Sequence, residues 1–193
     1  MIITQEEAKT LLLPYAQKFY EAIVEGFNDY ITNDSAQAHI HDRTTKANLI
    51  RSYILARVKK IVADDPSLRM QTRKKMLVVV IGDRLKIRFK KLDENFKSTN
   101  IKTKQVTAFR NHSLVLDDGT SALYLDAGWR LNEYFTEITD VSFVCPNGDR
   151  NKWKITAEDL EINKPQIEIF ETEEDNILPV VTVKEGLRKK KVG

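Results

Sequence analysis

Two periodicities divide the chain. Up to about residue 63 the apolar positions recur at helical spacing, and from residue 76 they run together or alternate as strands do. The first helix is predicted from Thr4. The stretch Thr4-Gln5-Glu6-Glu7 forms a capping box, in which the threonine hydroxyl accepts from the third helical amide and Glu7 reaches back. Leu12, Ala16, Phe19, Ile23, Phe27 and Tyr30 then make one apolar face. Pro14 interrupts them, which predicts a kink or a second helix starting there. Asn33-Asp34-Ser35 marks a loop. Asp42 is the N-cap of a further helix, Arg43 to Ala63, whose stripe is Ala47, Ile50, Ile54, Val58 and Ile61. Asp64-Asp65-Pro66 ends it, and residues 67–75 read as a basic connector with room for a short helix.

Met76 to Ile81 is an apolar strand. Gly82-Asp83 is a turn that pairs it as a hairpin with the next strand, Arg84-Leu85-Lys86-Ile87-Arg88-Phe89-Lys90-Lys91. A short helix is predicted over Lys104 to Arg110, with Thr103 as its N-cap. Strands are predicted at Ser113–Leu116, Ser121–Asn132, Ile138–Cys145 and Lys152–Thr156. Edge strands are placed at Ile167–Phe170 and Val180–Val183. Helices first and strands afterwards give an α+β class, N-terminal helices packed on a mainly antiparallel meander. The organisation that follows is a helical part over 1–65, a β-rich part over 76–170 that joins it in one compact domain, and a disordered basic tail over 184–193.

Charge sharpens this picture. The net charge is only +3, yet Arg43 to Lys104 holds 18 Lys/Arg against five Asp/Glu, and Glu158 to Asp175 holds eight acids against one lysine. Such asymmetry speaks of partners. In the strand from Arg84, apolar residues alternate with Arg84, Lys86, Arg88 and Lys90. Residues two apart on one strand face are about 6.6 Å apart, near the spacing of phosphates along an extended strand. The row, with Arg57 and Lys60 on the second helix as secondary contacts, is therefore a candidate for nucleic-acid or acidic-partner contact. The competing reading is the solvated face of a half-covered sheet.

Catalytic chemistry finds little to stand on. No phosphate-binding glycine loop, nucleophile elbow or zinc-protease helix motif occurs. His39 and His41 share a face of an extended segment and are weak metal candidates, short of ligands because His112 is the one other histidine. Cys145 is the sole cysteine, so no intramolecular disulfide forms, and it reads as a buried structural thiol. Trp129 and Trp153 read as core. No catalytic residue and no cofactor is assigned. No apolar run reaches the roughly 18 residues of a membrane span, and the first residues lack a secretory pattern. A cytoplasmic location is expected.

Three short stretches carry a resemblance: Arg88-Phe89-Lys90-Lys91-Leu92, Asn100-Ile101-Lys102-Thr103-Lys104-Gln105, and Leu125-Asp126-Ala127-Gly128-Trp129 with Ile138-Thr139-Asp140-Val141. Together they resemble uncharacterised bacterial and prophage proteins encoded beside helix-turn-helix or ImmA-type metallopeptidase genes, in toxin–antitoxin-like or phage-defence pairs. The resemblance spans about the middle half of the chain and implies no active-site residue. It implies a protein that works by binding a protein partner, the product of a neighbouring gene, with a toxin-like role preferred. The alternative is a sequence-tolerant nucleic-acid-binding protein using the basic sheet face.

Overall fold

The computed structural model describes residues 3–73, 75–98, 103–113 and 122–163. The strands expected at 113–116, 167–170 and 180–183, most of the late acidic segment and the basic tail lie outside the described residues.

Helix α1 runs unbroken over Gln5–Asp34, with Pro14 inside it. The expected second start at Pro14 does not occur. The capping box forms as predicted: the Glu7 amide donates to Thr4 Oγ1 at 3.2 Å, and the Thr4 amide donates to Glu7 Oε2 at 2.9 Å. Helix α2 spans Arg43–Asp64, and Asp42 caps it by accepting from the Thr45 amide. The two helices pack closely. A Cβ added at Gly26 of α1 would lie 2.6 Å from the Ile54 Cα of α2, so only glycine permits this approach.

Six strands follow: β1 Leu68–Arg73, β2 Met76–Ile81, β3 Leu85–Lys91, β4 Leu123–Leu131, β5 Ile138–Asn147 and β6 Arg150–Thr156. They form one sheet in sequence order. Strand β1 occupies the stretch expected to be a connector or short helix. Its register with β2, Leu68 opposite Ile81 through Arg73 opposite Met76, gives residues 68–73 a ladder that a helix there would forfeit. Between β2 and β3, Gly82 and Asp83 both take positive φ, as a primed turn requires, and the Arg84 amide closes onto Ile81 O.

The sheet is not a pure meander. Strand β4 pairs parallel to β3, Lys86 opposite Tyr124 and Arg88 opposite Asp126, whereas every other pair is antiparallel. Parallel neighbours need a crossover, and here it includes helix α3, Lys104–Arg110, capped by Thr103 as expected. That topology has a consequence for burial. Leu85, Ile87 and Phe89 of β3, Leu125, Ala127 and Trp129 of β4, and Phe143 of β5 join α1 and α2 in the main core. On the opposite face Val78, Val80, Phe109 of α3 and Tyr124 make a second, smaller core. Helices and sheet thus share one hydrophobic core, and the sheet centre is covered on both sides.

Candidate binding site

The alternation read in β3 is real, but its cationic side is not an open face. Lys86 is 0 % exposed and Arg88 2 % exposed. Arg88 forms a fork with Asp126 on the neighbouring strand, Nε to Oδ1 at 2.7 Å and the terminal nitrogen to Oδ2 at 3.0 Å. The same nitrogen donates to Ser98 Oγ at 2.9 Å, and the guanidinium lies 4.0 Å from the centre of the Phe109 ring. Lys86 sits over Tyr124, 5.9 Å from the ring centre. The reason is the parallel crossover, which lays α3 and the 92–98 loop over what a simple meander would leave wet. A phosphate backbone cannot run along side chains held inside in this way.

The other predicted contacts are dispersed. Arg84 is partly exposed and lies 3.5 Å from Glu7. Arg57 is tied to α1 by two bonds to Asp29 and one to Glu25. The Asp29 carboxyl is held below its usual range, first by that hydrogen bond and also by the Arg57 and Lys60 charges. Lys60 lines the shallow α1–α2 groove beside Glu21 and Glu25, where the signs are mixed. Only Lys90 of the row stays half-buried without an ion pair among the described residues.

The histidines do not assemble a metal centre. His39 Nδ1 lies 3.2 Å from Ala36 O within its own 3₁₀ turn, and His41 follows that turn. Among the described residues no three His, Cys, Asp or Glu side chains converge as metal ligands would. His112 and Cys145 do approach, at 3.6 Å. Yet the Tyr124 amide donates to His112 Nδ1, so Nε2 carries the proton and donates to Pro146 O at 2.7 Å. The imidazole has no lone pair left to take the thiol proton. Burial pushes the Cys145 thiol up to about 12 and the His112 ring below its ordinary value. His112 thus ties the crossover to β4 and β5, and Cys145 is buried, as expected.

A different feature is built at the ends of the parallel pair. Strands β3 and β4 both finish at a cleft of about 510 Å³. Arg43 at the start of α2, Lys91 at the end of β3, Arg130 near the end of β4, and Asn95 and Glu133 in the adjoining loops line it. Crevices at the carboxyl ends of parallel strands are where α/β sheets place ligands. Lys91 sits 4.7 Å from the Phe135 ring centre, and its amine is held down by burial first and by Arg43 second. Arg130 and Lys154 approach the Phe96 ring at 4.9 and 3.6 Å. Asp93 and Glu94 also line the cleft, and the Asp93 carboxylate accepts from the Asn95 and Lys97 amides. Arg43 meets Glu133 at only 3.9 Å with both side chains largely exposed, a pair of little worth.

Two of the six non-glycine residues with positive φ among the described residues lie at this place. Phe96 and Phe135 both hold positive φ, 56° and 61°, which bulky residues rarely adopt. Beside the cleft, Tyr134 is 78 % exposed in the β4–β5 turn, and Ile40, three residues before Arg43, is 66 % exposed. Sequence reading missed this site because its residues belong to four separate segments. The one available signal was Asn132-Glu133-Tyr134-Phe135, a turn carrying two aromatics. No helix among the described residues is long and apolar enough to cross a membrane. No family model, curated protein or solved structure matches the chain.

Proposed function

We propose that the protein acts by non-covalent binding of a protein partner, with the cleft at the ends of β3 and β4 as its recognition surface. The observation that carries this reading is the coincidence of three features at one place. Lys91 and Arg130 stand in the walls without ion pairs among the described residues. Two strained phenylalanines flank them, and strain of this kind marks functional segments more often than scaffold. Tyr134, between the lining residues Glu133 and Phe135, remains in water at the rim. A partner segment that brings carboxylates to the cations and an apolar side chain to Tyr134 complements all three.

The partner of first choice is the product of a neighbouring gene in a toxin–antitoxin or defence pair. In the toxin-like version its occupation of the cleft restrains the protein. Co-expression of the two products and co-purification over a sizing column tests this. Lys91→Glu with Arg130→Glu should abolish the complex, and Arg84→Glu should leave it intact. A complex indifferent to the cleft reversals, or no complex at all, overturns the proposal. Binding of oligonucleotides across a salt series, on the same preparation, decides the nucleic-acid alternative, which now has to do without Lys86 and Arg88.

A further inference from the structure

The β4–β5 ladder stops one step short. It pairs Gly128 with Ser142 and Asp126 with Val144, and the same antiparallel register would next set Tyr124 opposite Pro146. The ladder does not include that pair. The imidazole of His112 stands in its place: Nδ1 accepts from the Tyr124 amide at 3.1 Å, and Nε2 donates to Pro146 O at 2.7 Å. A neutral imidazole has one acceptor and one donor nitrogen, and here the two strands take one each. His112 reaches this position from the end of the crossover helix. It follows Asn111, the C-cap of α3, with a positive φ of 53°, and its own amide donates to Phe109 O at 3.1 Å. Phe109 packs edge-on against Tyr124, 4.9 Å between ring centres, and its ring lies 4.0 Å from the Arg88 guanidinium. One ring therefore joins two strands and pins the helix that covers Arg88.

We propose that His112 is a pH-gated latch: the neutral ring closes the rung between β4 and β5, and protonation of Nδ1 opens it and frees the C-terminal end of α3 from the sheet. The geometry leaves an imidazolium no place. A second N–H at Nδ1 points at the Tyr124 N–H, so one bond is lost and two donors face each other. The groups around the ring do not compensate. From β5 the Cys145 thiol lies 3.6 Å from Nε2, and burial holds that thiol at about 12, hence uncharged. From β6 the charge that acts on the ring is that of Lys152, which opposes a second cation. From β4 comes the Tyr124 ring, 6.2 Å between centres. Within α3, Arg110 is engaged with Gly148 O and Arg150 O. Burial first, and Lys152 with it, hold His112 below its ordinary value against the Pro146 bond, which raises it. A histidine depressed on folding keeps its contacts fully above the ordinary value of 6.5 and loses them as pH falls below it. Arg110 stays charged throughout this range, so acid acts on the anchorage through His112. The latch uses none of the cleft residues and does not rest on the proposed partner.

The test uses the full chain, titrated from about pH 8 to about pH 5 across the histidine range. Long-range nitrogen–proton NMR reads the tautomer and midpoint of each imidazole, and hydrogen exchange reads the amides. At neutral pH His112 should be the Nε2–H tautomer alone, with a midpoint below that of exposed His39. Corrected for the intrinsic exchange rate, protection of the Tyr124 amide should fall by roughly tenfold for each pH unit below the ordinary histidine value, until the folded ring itself titrates. The amides of Phe19 and Ile23 in α1 should keep theirs. His112→Gln also offers one acceptor and one donor but does not titrate, and it should make Tyr124 protection independent of pH. His39→Gln should respond as wild type does. The wild-type readings decide the matter even where His112→Gln does not fold. A His112 midpoint level with that of His39, or Tyr124 protection that falls with acid in His112→Gln as in wild type, overturns the latch. Loss of α1 protection in step with Tyr124 is ordinary acid unfolding and overturns it too.

Discussion

Asp126→Asn is the change that most directly probes the interior placed on the second face of the sheet. Asp126 and Arg88 are each at most 3 % exposed and share two hydrogen bonds across the β3–β4 ladder. The substitution keeps the shape and removes the charge. It leaves a buried guanidinium with a neutral partner, beside Arg51 and Lys90. Breaking one side of a buried pair costs about 3–5 kcal/mol, and in a chain of this size that lowers the melting point by roughly 6–20 °C. Removing both charges, as Arg88→Met with Asp126→Leu, should cost far less than the sum of the single changes, because no buried charge is stranded. The assay is a double-mutant cycle in urea, with equilibrium melts of the four proteins. The reasoning is refuted if Asp126→Asn costs under about 1 kcal/mol, the magnitude of an exposed pair, or if the cycle is additive.

Other consequences are equally concrete. The Lys90 amine lies at about 8 against 10.5 for an ordinary lysine, through burial first, with Arg51 and Arg88 repelling it and Asp126 opposing them. A lysine depressed on folding costs stability fully below its folded pKa, and that cost fades as pH rises toward the unfolded value. Wild type should therefore gain on Lys90→Met between pH 8 and 10.5, starting from a deficit of about 1–2 kcal/mol at neutral pH once solvent screening is allowed for; paired melts showing a pH-independent gap would contradict this. Gly26→Ala puts a methyl group against the Ile54 backbone and should destabilise by about 1–3 kcal/mol in thermal melts despite alanine's better helix propensity. Cys145 is buried with its thiol at about 12, so an aromatic disulfide reagent at pH 8 should label it at the rate of unfolding rather than of the thiol itself.

Much of the fold was legible in local pattern. The caps at Thr4, Asp42 and Thr103, the stripe of α2, the Gly82-Asp83 turn and strands β2 to β6 all declare themselves in short windows. Pro14 misleads because long tertiary packing on both sides of it, at Leu12, Ala16 and Phe19, outweighs one missing amide bond. β1 misleads because Leu68 to Arg73 is polar on one side and becomes a strand only by pairing with β2. The cationic row is the instructive case. Alternation tells which residues share a face; it does not tell what lies over that face. Lys86 and Arg88 looked solvated because they are charged. The burial of Arg88 depends on Asp126, 38 residues away, brought into register by a parallel crossover that no two-residue period encodes. A carboxylate inside the otherwise apolar Leu123-Tyr124-Leu125-Asp126-Ala127-Gly128-Trp129 was the trace of it. The strand-end cleft left still less trace, since four segments contribute one or two residues each.

The burial of the charged side of β3 is the feature that decides what Lys86, Arg88 and Lys90 can do. Competitive amine labelling of the native chain, resolved by pH and read residue by residue with peptide mass spectrometry, asks this directly. Lys86 should stay unlabelled while exposed Lys59 reacts, and Lys90 should gain reactivity with a midpoint near pH 8. Lys86 labelling as fast as Lys59 in the folded protein would put the row back in water and contradict the account.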